Sequence, residues 1–462
     1  MEKKGPLTQA QRDRALLLSL AWPCVVENLA TTLVSLVDTA MVGSIGAVAT
    51  AAVGLCATPT WLMNGIVRAL GIGGTAIVAR EIGAGERELA EHAGRQVLRV
   101  AAALSLLIAL ILYAGAPFVP VLLRAPMEVR RDATDYLRIL SFCSLFHYTA
   151  MAAAAMLRGA GDTRTTMVAG LMSNALNVAG NFLLIYPTRE MTLLGMRVTM
   201  PGAGWGVRGA AAASALSMGA AGIYILHHMA GSKSMLRISV CLRERLDAPL
   251  LRRVVRIAMP AALERVTINV GQMVFAAMFA TLGTAPVAAY HITTNIEALG
   301  YMPANGFSAA ATTLVGQRLG AGKPEEARRL GLRCIRICLA LLCAVGAAML
   351  LVSAPLAALF SVDAEVVRIT TGLIVMCGLV QPMNALTIVA QGALGGAGDT
   401  VMPFVFSLVT MWSLRILFSL LLGFALGLGV YGIYGSMLLD LAVRSALLVA
   451  RFSRGKWMTR RI

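Results

Sequence analysis

The sequence predicts an all-α polytopic membrane protein of twelve transmembrane helices, built as two six-helix lobes in parallel repeat around a central cavity. Three observations predict it. The 462 residues are 58% hydrophobic and only 14% charged, with a mean hydropathy of +0.75, whereas soluble domains carry about 25% charged residues. Apolar runs of about 20 residues recur from one end to the other, the length an α-helix needs to cross a bilayer. Finally, the first half of the chain recurs in the second at a fixed offset.

Taken in order, the apolar runs and their breaks predict helices over 16–43, 51–78, 97–116, 135–157, 165–187, 205–229, 252–280, 286–314, 333–354, 366–391, 402–427 and 431–450. Several exceed what a bilayer requires, which implies tilt or protrusion. The short alternating segments of a membrane β-barrel are absent, so that class is excluded. A basic leader (Lys3, Lys4, Arg12, Arg14) runs directly into the first apolar run without a cleavable signal pattern.

The net charge of +17 would suit a nucleic-acid partner, but the basic residues fall in the short loops between apolar runs. With the N-terminus placed in the cytoplasm, 28 of the Lys and Arg residues fall inside and 8 outside. That bias puts both termini in the cytoplasm of a cell (inner) membrane protein. The expected partners are a drug-like small molecule and the lipid bilayer, with no nucleic acid and a monomeric state. The eight cysteines (Cys24, Cys56, Cys143, Cys241, Cys334, Cys338, Cys343, Cys377) form no Cys-x-x-Cys and lie mostly in apolar runs. They read as small packing residues.

The repeat is explicit. An offset of 237 takes Ile82-Gly83-Ala84-Gly85 onto Leu319-Gly320-Ala321-Gly322, and Gly159-Ala160-Gly161-Asp162-Thr163 onto Gly396-Ala397-Gly398-Asp399-Thr400. The same offset takes Pro23 and Glu27 onto Pro260 and Glu264. Later in the repeat the offset falls to 223, so the loop near 187–204 is about 14 residues longer in the first half. Six helices per half make the repeat parallel, with its axis along the membrane normal. The expected division is a lobe over 1–229, a basic cytoplasmic linker over 230–251 and a lobe over 252–462. The glycine loops are not phosphate loops, because no Gly-Lys-Ser/Thr follows. They read as tight turns, with Asp162 and Asp399 as helix N-caps.

Charges inside spans are costly, roughly 2.5–3.5 kcal/mol each on insertion scales, and mark candidate sites. The first half holds Glu27 and Asp38 against Arg68; the second holds Glu264, Glu297 and Asp440 against Arg265, Arg415 and Arg444. The first half therefore has one acid in surplus. Glu27 and Asp38 are eleven residues apart, close to three helical turns, so they point the same way about 16 Å apart. Arg68 is the obvious partner for one of them. Asp440 and Arg444 are spaced i,i+4 and read as an ion pair. On the fifth predicted helix, Asn174, Asn177 and Asn181 make a polar stripe on one face, which must meet protein or water. Tyr290, His291 and Glu297 share the eighth, although His291 and Glu297 are six apart and on different faces. The tenth has no acid beyond Glu365, leaving Gln381 and Asn384 as its strongly polar interior residues. His147 reads as a hydrogen-bonded core residue.

Val37-Asp38-Thr39-Ala40-Met41-Val42-Gly43, the paired glycine loops, Met302-Pro303 with Gly306-Phe307, and Arg451-Phe452-Ser453-Arg454-Gly455-Lys456-Trp457 resemble the multidrug and toxic compound extrusion (MATE) transporters over essentially the whole chain. The resemblance implies a two-lobed antiporter, not an enzyme, that exports organic molecules against an inward Na⁺ or H⁺ gradient. It implies cation coupling at Asp38 with Asn177 and Asn181, and Asp38 as a ligand if the ion is Na⁺; Glu27 joins the coupling candidates through its alignment with Asp38. No cofactor beyond that ion is expected. Some members carry Asp where Asn181 stands, and some place a cation-binding Asp in the tenth helix, which this chain lacks. Candidate substrate-cavity residues are Asn174, Arg68, Glu264, Tyr290, His291, Glu297 and Gln381. The alternative function in the same architecture is a lipid or lipid-linked oligosaccharide flippase.

Overall fold

A computed structural model describes residues 9–193, 196–232, 234–238 and 245–459. Lys3 and Lys4 of the leader, Cys241, and part of the basic linker lie outside the described residues. The chain folds as α1 (Gln9–Gly43), α2 (Ala47–Ala84), α3 (Arg87–Gly115), a short α4 (Phe118–Leu122), α5 (Met127–Ala160), α6 (Thr163–Leu184), and an antiparallel hairpin of β1 (Pro187–Leu193) and β2 (Met196–Ala203). It continues as α7 (Gly206–Ala230), α8 (Ala248–Ala280), α9 (Thr284–Gly320), α10 (Pro324–Leu351), a short α11 (Ser353–Ala358), α12 (Ala364–Gly396), α13 (Val401–Thr410) and α14 (Gly429–Ser453). Past Thr410, α13 runs on through π-helical turns at Met411–Leu417 and Leu420–Ala425.

Twelve long helices thus stand where twelve apolar runs were read, most of them extended beyond the apolar run at one or both ends. Among the described residues, ten are long and apolar enough to cross a membrane. The exceptions are α8, diluted by Arg252, Arg253, Arg256 and the Glu264-Arg265 pair, and α9, whose early turns hold His291, Thr293, Thr294 and Glu297. The 14-residue surplus in the first half is the β-hairpin, which closes on itself around a register shift between Pro187 and Arg189. No alternating apolar pattern announced it, because a two-stranded ribbon outside the bilayer needs no buried face.

Contacts divide the chain into two compact units. One comprises Met1–Asn28, Thr75–Glu86 and Arg253–Ile462; the other comprises Leu29–Gly74 and Arg87–Arg252. Within the first, Leu17, Leu20 and Ala21 of α1 pack with α9, α10 and α12 in one apolar cluster that is closed by Phe452 and Trp457. Those two rings stack at 4.8 Å and 5°.

The glycine loops show what the repeat is for. A Cβ on Gly83 would stand 1.9 Å from the Gln317 carbonyl oxygen, and one on Gly320 would stand 1.8 Å from that of Arg80. These two approaches exchange under the offset of 237, and Ala79 facing Gly316, Cβ to Cβ position at 2.8 Å, is a pair that maps onto itself. A local pseudo-two-fold axis therefore runs through the crossing of the α2 and α9 ends, where only glycine lets the backbones meet.

The second pair of loops is less symmetric than its sequence. Gly161, at φ 102°, ends α5, and the Asp162 carboxylate caps α6 by accepting from Thr165 N at 3.0 Å. Asp399 follows the same left-handed glycine, Gly398 at φ 75°, yet the N-cap of α13 is Thr400. The Asp399 side chain is fully buried and binds Arg451 at 2.9 Å. Under the later offset of 223 Arg451 corresponds to His228, whose Nε2 stands 3.3 Å from Asp162 Oδ2. Each loop carboxylate therefore meets a basic side chain of the last helix of its half, a permanently charged guanidinium in the second.

Candidate functional site

In the unit containing Asp38, α1 and α6 run parallel, and equal steps of seven residues along each bring two pairs together. Asn174 Nδ2 reaches Thr31 Oγ1 at 3.4 Å, and two turns further Asn181 Nδ2 donates to Asp38 Oδ1 at 2.5 Å. The asparagine stripe faces α1, as a polar stripe in an apolar helix must. The chain of contacts continues inward: Asn181 also donates to Asn177 Oδ1 at 3.3 Å, and Asn177 donates to Ser214 Oγ on α7 at 3.1 Å. Tyr136 of α5 reaches Ser214 with its hydroxyl and lies within electrostatic reach of Asp38. Asn181 is fully buried, and its Oδ1 accepts no hydrogen bond from the described residues. Just past the C-terminal ends of α1 and α6 the Tyr186 hydroxyl meets Ser44 Oγ at 2.7 Å.

Ser214 and Tyr136 escaped the sequence reading because a hydroxyl in a span is ordinary. The expected pairing of Arg68 with an α1 acid is corrected for Asp38. Arg68 stands 21 residues into α2, whereas Asp38 is five residues from the end of α1, so the two differ by about 16 residues of rise, about 24 Å. Arg68 is exposed and within electrostatic reach of His147. Glu27 belongs with the other compact unit.

That other unit holds the second-half candidates, and they form two nodes. Glu264 Oε1 accepts from Gln391 Nε2 at 2.7 Å and from Ser407 Oγ at 2.6 Å. Glu297, 6% exposed, accepts from Asn384 and from the Tyr434 hydroxyl, each at 3.3 Å. Between them lies a cluster anchored on Asp440, whose carboxylate meets Arg444 at 2.6 Å and Arg415 at 2.8 Å. Arg444 acts electrostatically on Glu264, and Arg415 on Glu297. The charges thus alternate, Glu297, Arg415, Asp440, Arg444 and half-buried Glu264. The i,i+4 pair was legible in sequence, but its second arginine was not. Arg415 arrives through the π-turn of α13, an insertion that shifts the helix face and is common at functional positions.

Tyr290 stacks on Phe279 at 4.4 Å and joins the aromatic core rather than a polar site. His291 is exposed while Glu297 is buried, the two-face arrangement their spacing requires. Gln381 is buried one turn from Asn384 and donates to Cys377 Sγ at 3.5 Å. Among the described residues no group of three or more His, Cys, Asp or Glu could hold a metal ion. The oxygens near Asp38 are instead those of one carboxylate, two amides and two hydroxyls, a hard donor set suited to a small monovalent cation or a proton.

A bundle of long apolar helices in two sequence-related halves, with half-buried Asp38 in one and buried Glu297 and Asp440 in the other, defines a polytopic membrane transporter. The MatE family model matches residues 23–183 and again 260–421, two copies whose starts differ by the repeat offset. The chain belongs to the MATE family of transporters. It is 29% identical to a probable multidrug resistance protein NorM of Thermotoga maritima, over 99% of this chain and 96% of that one. It is 28% identical to the multidrug resistance protein MdtK of Edwardsiella ictaluri, over 87% and 86% respectively. A crystal structure of MATE in the straight conformation superposes with a TM-score of 0.87 at 21% identity, covering 96% of this chain and 97% of that one. A MOP superfamily transporter from Pyrococcus furiosus superposes with the same score, 0.87, at 22% identity and over 97% of each chain. At those identities the structures speak for the fold alone.

Proposed function

We propose that the protein is a multidrug exporter of the inner membrane that couples Na⁺ or H⁺ entry to efflux of organic, cationic or amphiphilic compounds. The observation that carries this reading is the Asp38–Asn181–Asn177–Ser214 chain, a carboxylate held only by neutral donors between two membrane-spanning helices. Asn181 Oδ1, buried without a hydrogen bond, supports cation binding, since an orphaned acceptor costs about 1–3 kcal/mol unless something occupies it. In the proposed cycle a cation entering from outside neutralises Asp38 and weakens the hold on substrate. The two halves then exchange access, the cation leaves inward, and new substrate is captured. The names of the NorM and MdtK relatives support drug-like substrates.

The test is efflux of ethidium or norfloxacin in everted vesicles, with separate Na⁺ and pH jumps. Asp38→Asn keeps the side-chain shape and the Asn181 contact but removes the charge, so it is expected to abolish coupled export while inserting normally. Undiminished export by a folded Asp38→Asn protein would overturn the coupling role. A wild-type protein indifferent to both jumps would overturn cation coupling altogether.

A further inference from the structure

We propose that the basic face where α10 enters the membrane binds the phosphate headgroup of an anionic phospholipid. Arg328, Arg329, Arg333 and Arg336, with Glu325 and Leu332, line a cavity of about 230 Å³. Asp13 from α1 enters the cluster, accepting from Arg333 at 2.7 Å and lying 3.4 Å from Arg329. Arg328 approaches Glu325 at 3.7 Å. Four guanidiniums face two carboxylates, which leaves a net charge near +2 for a phosphodiester. The Arg328 Nε donor is buried and has no hydrogen-bond partner among the described residues.

The height of the cluster selects a lipid. Arg336 is the last charge on α10; from Ile337 to Leu351 none follows, about 22 Å of apolar helix. The guanidiniums therefore stand at headgroup level, where anionic leaflets attract basic side chains. Below Arg336 the exposed face continues as Ala340, Leu341, Cys343, Ala344 and Ala347, a shallow apolar track on which an acyl chain can lie.

The internal repeat provides the contrast. The offset of 237 returns Arg328, Arg329, Arg333 and Arg336 to Glu91, His92, Gln96 and Arg99 of α3. There the same face is covered by protein. Glu91 accepts from Arg237 N at 3.2 Å, His92 meets Asp247 at 3.3 Å, and Gln96 donates to Arg245 O and accepts from Asp247 N, both at 3.1 Å. A Cβ on Gly94 would stand 2.0 Å from Ile238 Cδ1. The α3 face thus carries groups matched to a polypeptide cover, whereas its α10 counterpart carries arginines matched to an anion.

The full-length protein in neutral detergent, titrated with phosphatidylglycerol or phosphatidylcholine and read by native mass spectrometry, tests this. Each basic contact near a membrane surface is worth roughly fivefold in affinity. Wild type is expected to bind phosphatidylglycerol at least tenfold better than phosphatidylcholine, and R328Q/R333Q/R336Q to lose at least tenfold of that affinity. Arg252→Gln with Arg256→Gln on α8 is expected to change nothing. If the triple variant does not fold, Arg336→Gln alone carries the test with a loss of about fivefold. Equal retention of the two lipids, or an unaltered preference in the variants, would overturn the proposal. So would displacement of phosphatidylglycerol by millimolar inorganic phosphate, which would mark a free-anion site.

Discussion

Asp440→Asn probes the buried charge cluster most directly. The Asp440 side chain is 0% exposed, and those of Arg415 and Arg444 are 5% and 4% exposed, so water cannot replace the lost carboxylate. Removing one member of a buried pair costs about 3–5 kcal/mol because the other charge stays behind. Here two guanidiniums would stay behind facing each other, which puts the expected loss at the upper end. Arg415→Met leaves Asp440 paired with Arg444 and strands only Glu297, which keeps its Asn384 and Tyr434 donors, so the expected loss is the smaller, about 1.5–3 kcal/mol for a hydrogen bond to a charged group. The assay is thermal unfolding in detergent followed with a thiol-reactive dye. The buried Cys334, Cys338 and Cys377 report opening, with exposed Cys343 as the constant background. Asp440→Asn should lower the midpoint well below Arg415→Met. An Asp440→Asn protein as stable as wild type, or more stable than Arg415→Met, would refute the reasoning.

Two further outcomes follow from named contacts. Asn181→Ala removes both the donor to Asp38 and a buried amide oxygen; at about 1.5–3 kcal/mol per charge-assisted bond the half-saturating cation concentration for export should rise roughly 10- to 150-fold, measured in proteoliposomes. Gly320→Ala places a Cβ 1.8 Å from the Arg80 carbonyl oxygen, so the α2–α9 crossing must separate; the expected result is a loss of more than about 2 kcal/mol, read as a lowered thermal midpoint, with Gly322→Ala as the matched strain control.

Most of the fold was legible because a bilayer imposes one rule, that backbone groups be satisfied within the helix. Apolar run lengths then locate twelve helices, and a constant offset locates the repeat. The hairpin at 187–203 was not legible, since outside the bilayer the rule lapses. The site was legible where periodicity carried it. Three asparagines at spacings of three and four share one face of α6, and that face meets Asp38. It was not legible where partners come from distant helices, as with Ser214, Tyr136 and Arg415. Asp399 is the instructive failure. Its loop copies that of Asp162 residue for residue, but local sequence cannot announce Arg451, 52 positions away.

The repeat and the chemistry are kept apart in this chain. What recurs at 237 is backbone machinery: the glycines of the α2–α9 crossing, the left-handed turns, the prolines near 23 and 260. Of the charged residues inside the spans, only Glu27 recurs, as Glu264. Under the same offset Asp38 becomes Phe275, Asn177 becomes Leu414 and Asn181 becomes Phe418, while Glu297 returns to Thr60 and Arg415 to Val178. Arg415 even lies over the Phe275 ring, 5.5 Å from its centroid, where symmetry would have placed an acid. Duplication therefore preserved the parts that let two halves cross closely, and each half acquired its own polar core. The second-half acids each have a guanidinium within electrostatic reach, so a cation binding there meets an entrenched competitor. Asp38 is held by an amide alone, and a cation arriving at it displaces no resident charge. In the proposed antiport cycle that difference, more than the presence of an acid, favours Asp38 over the second-half acids.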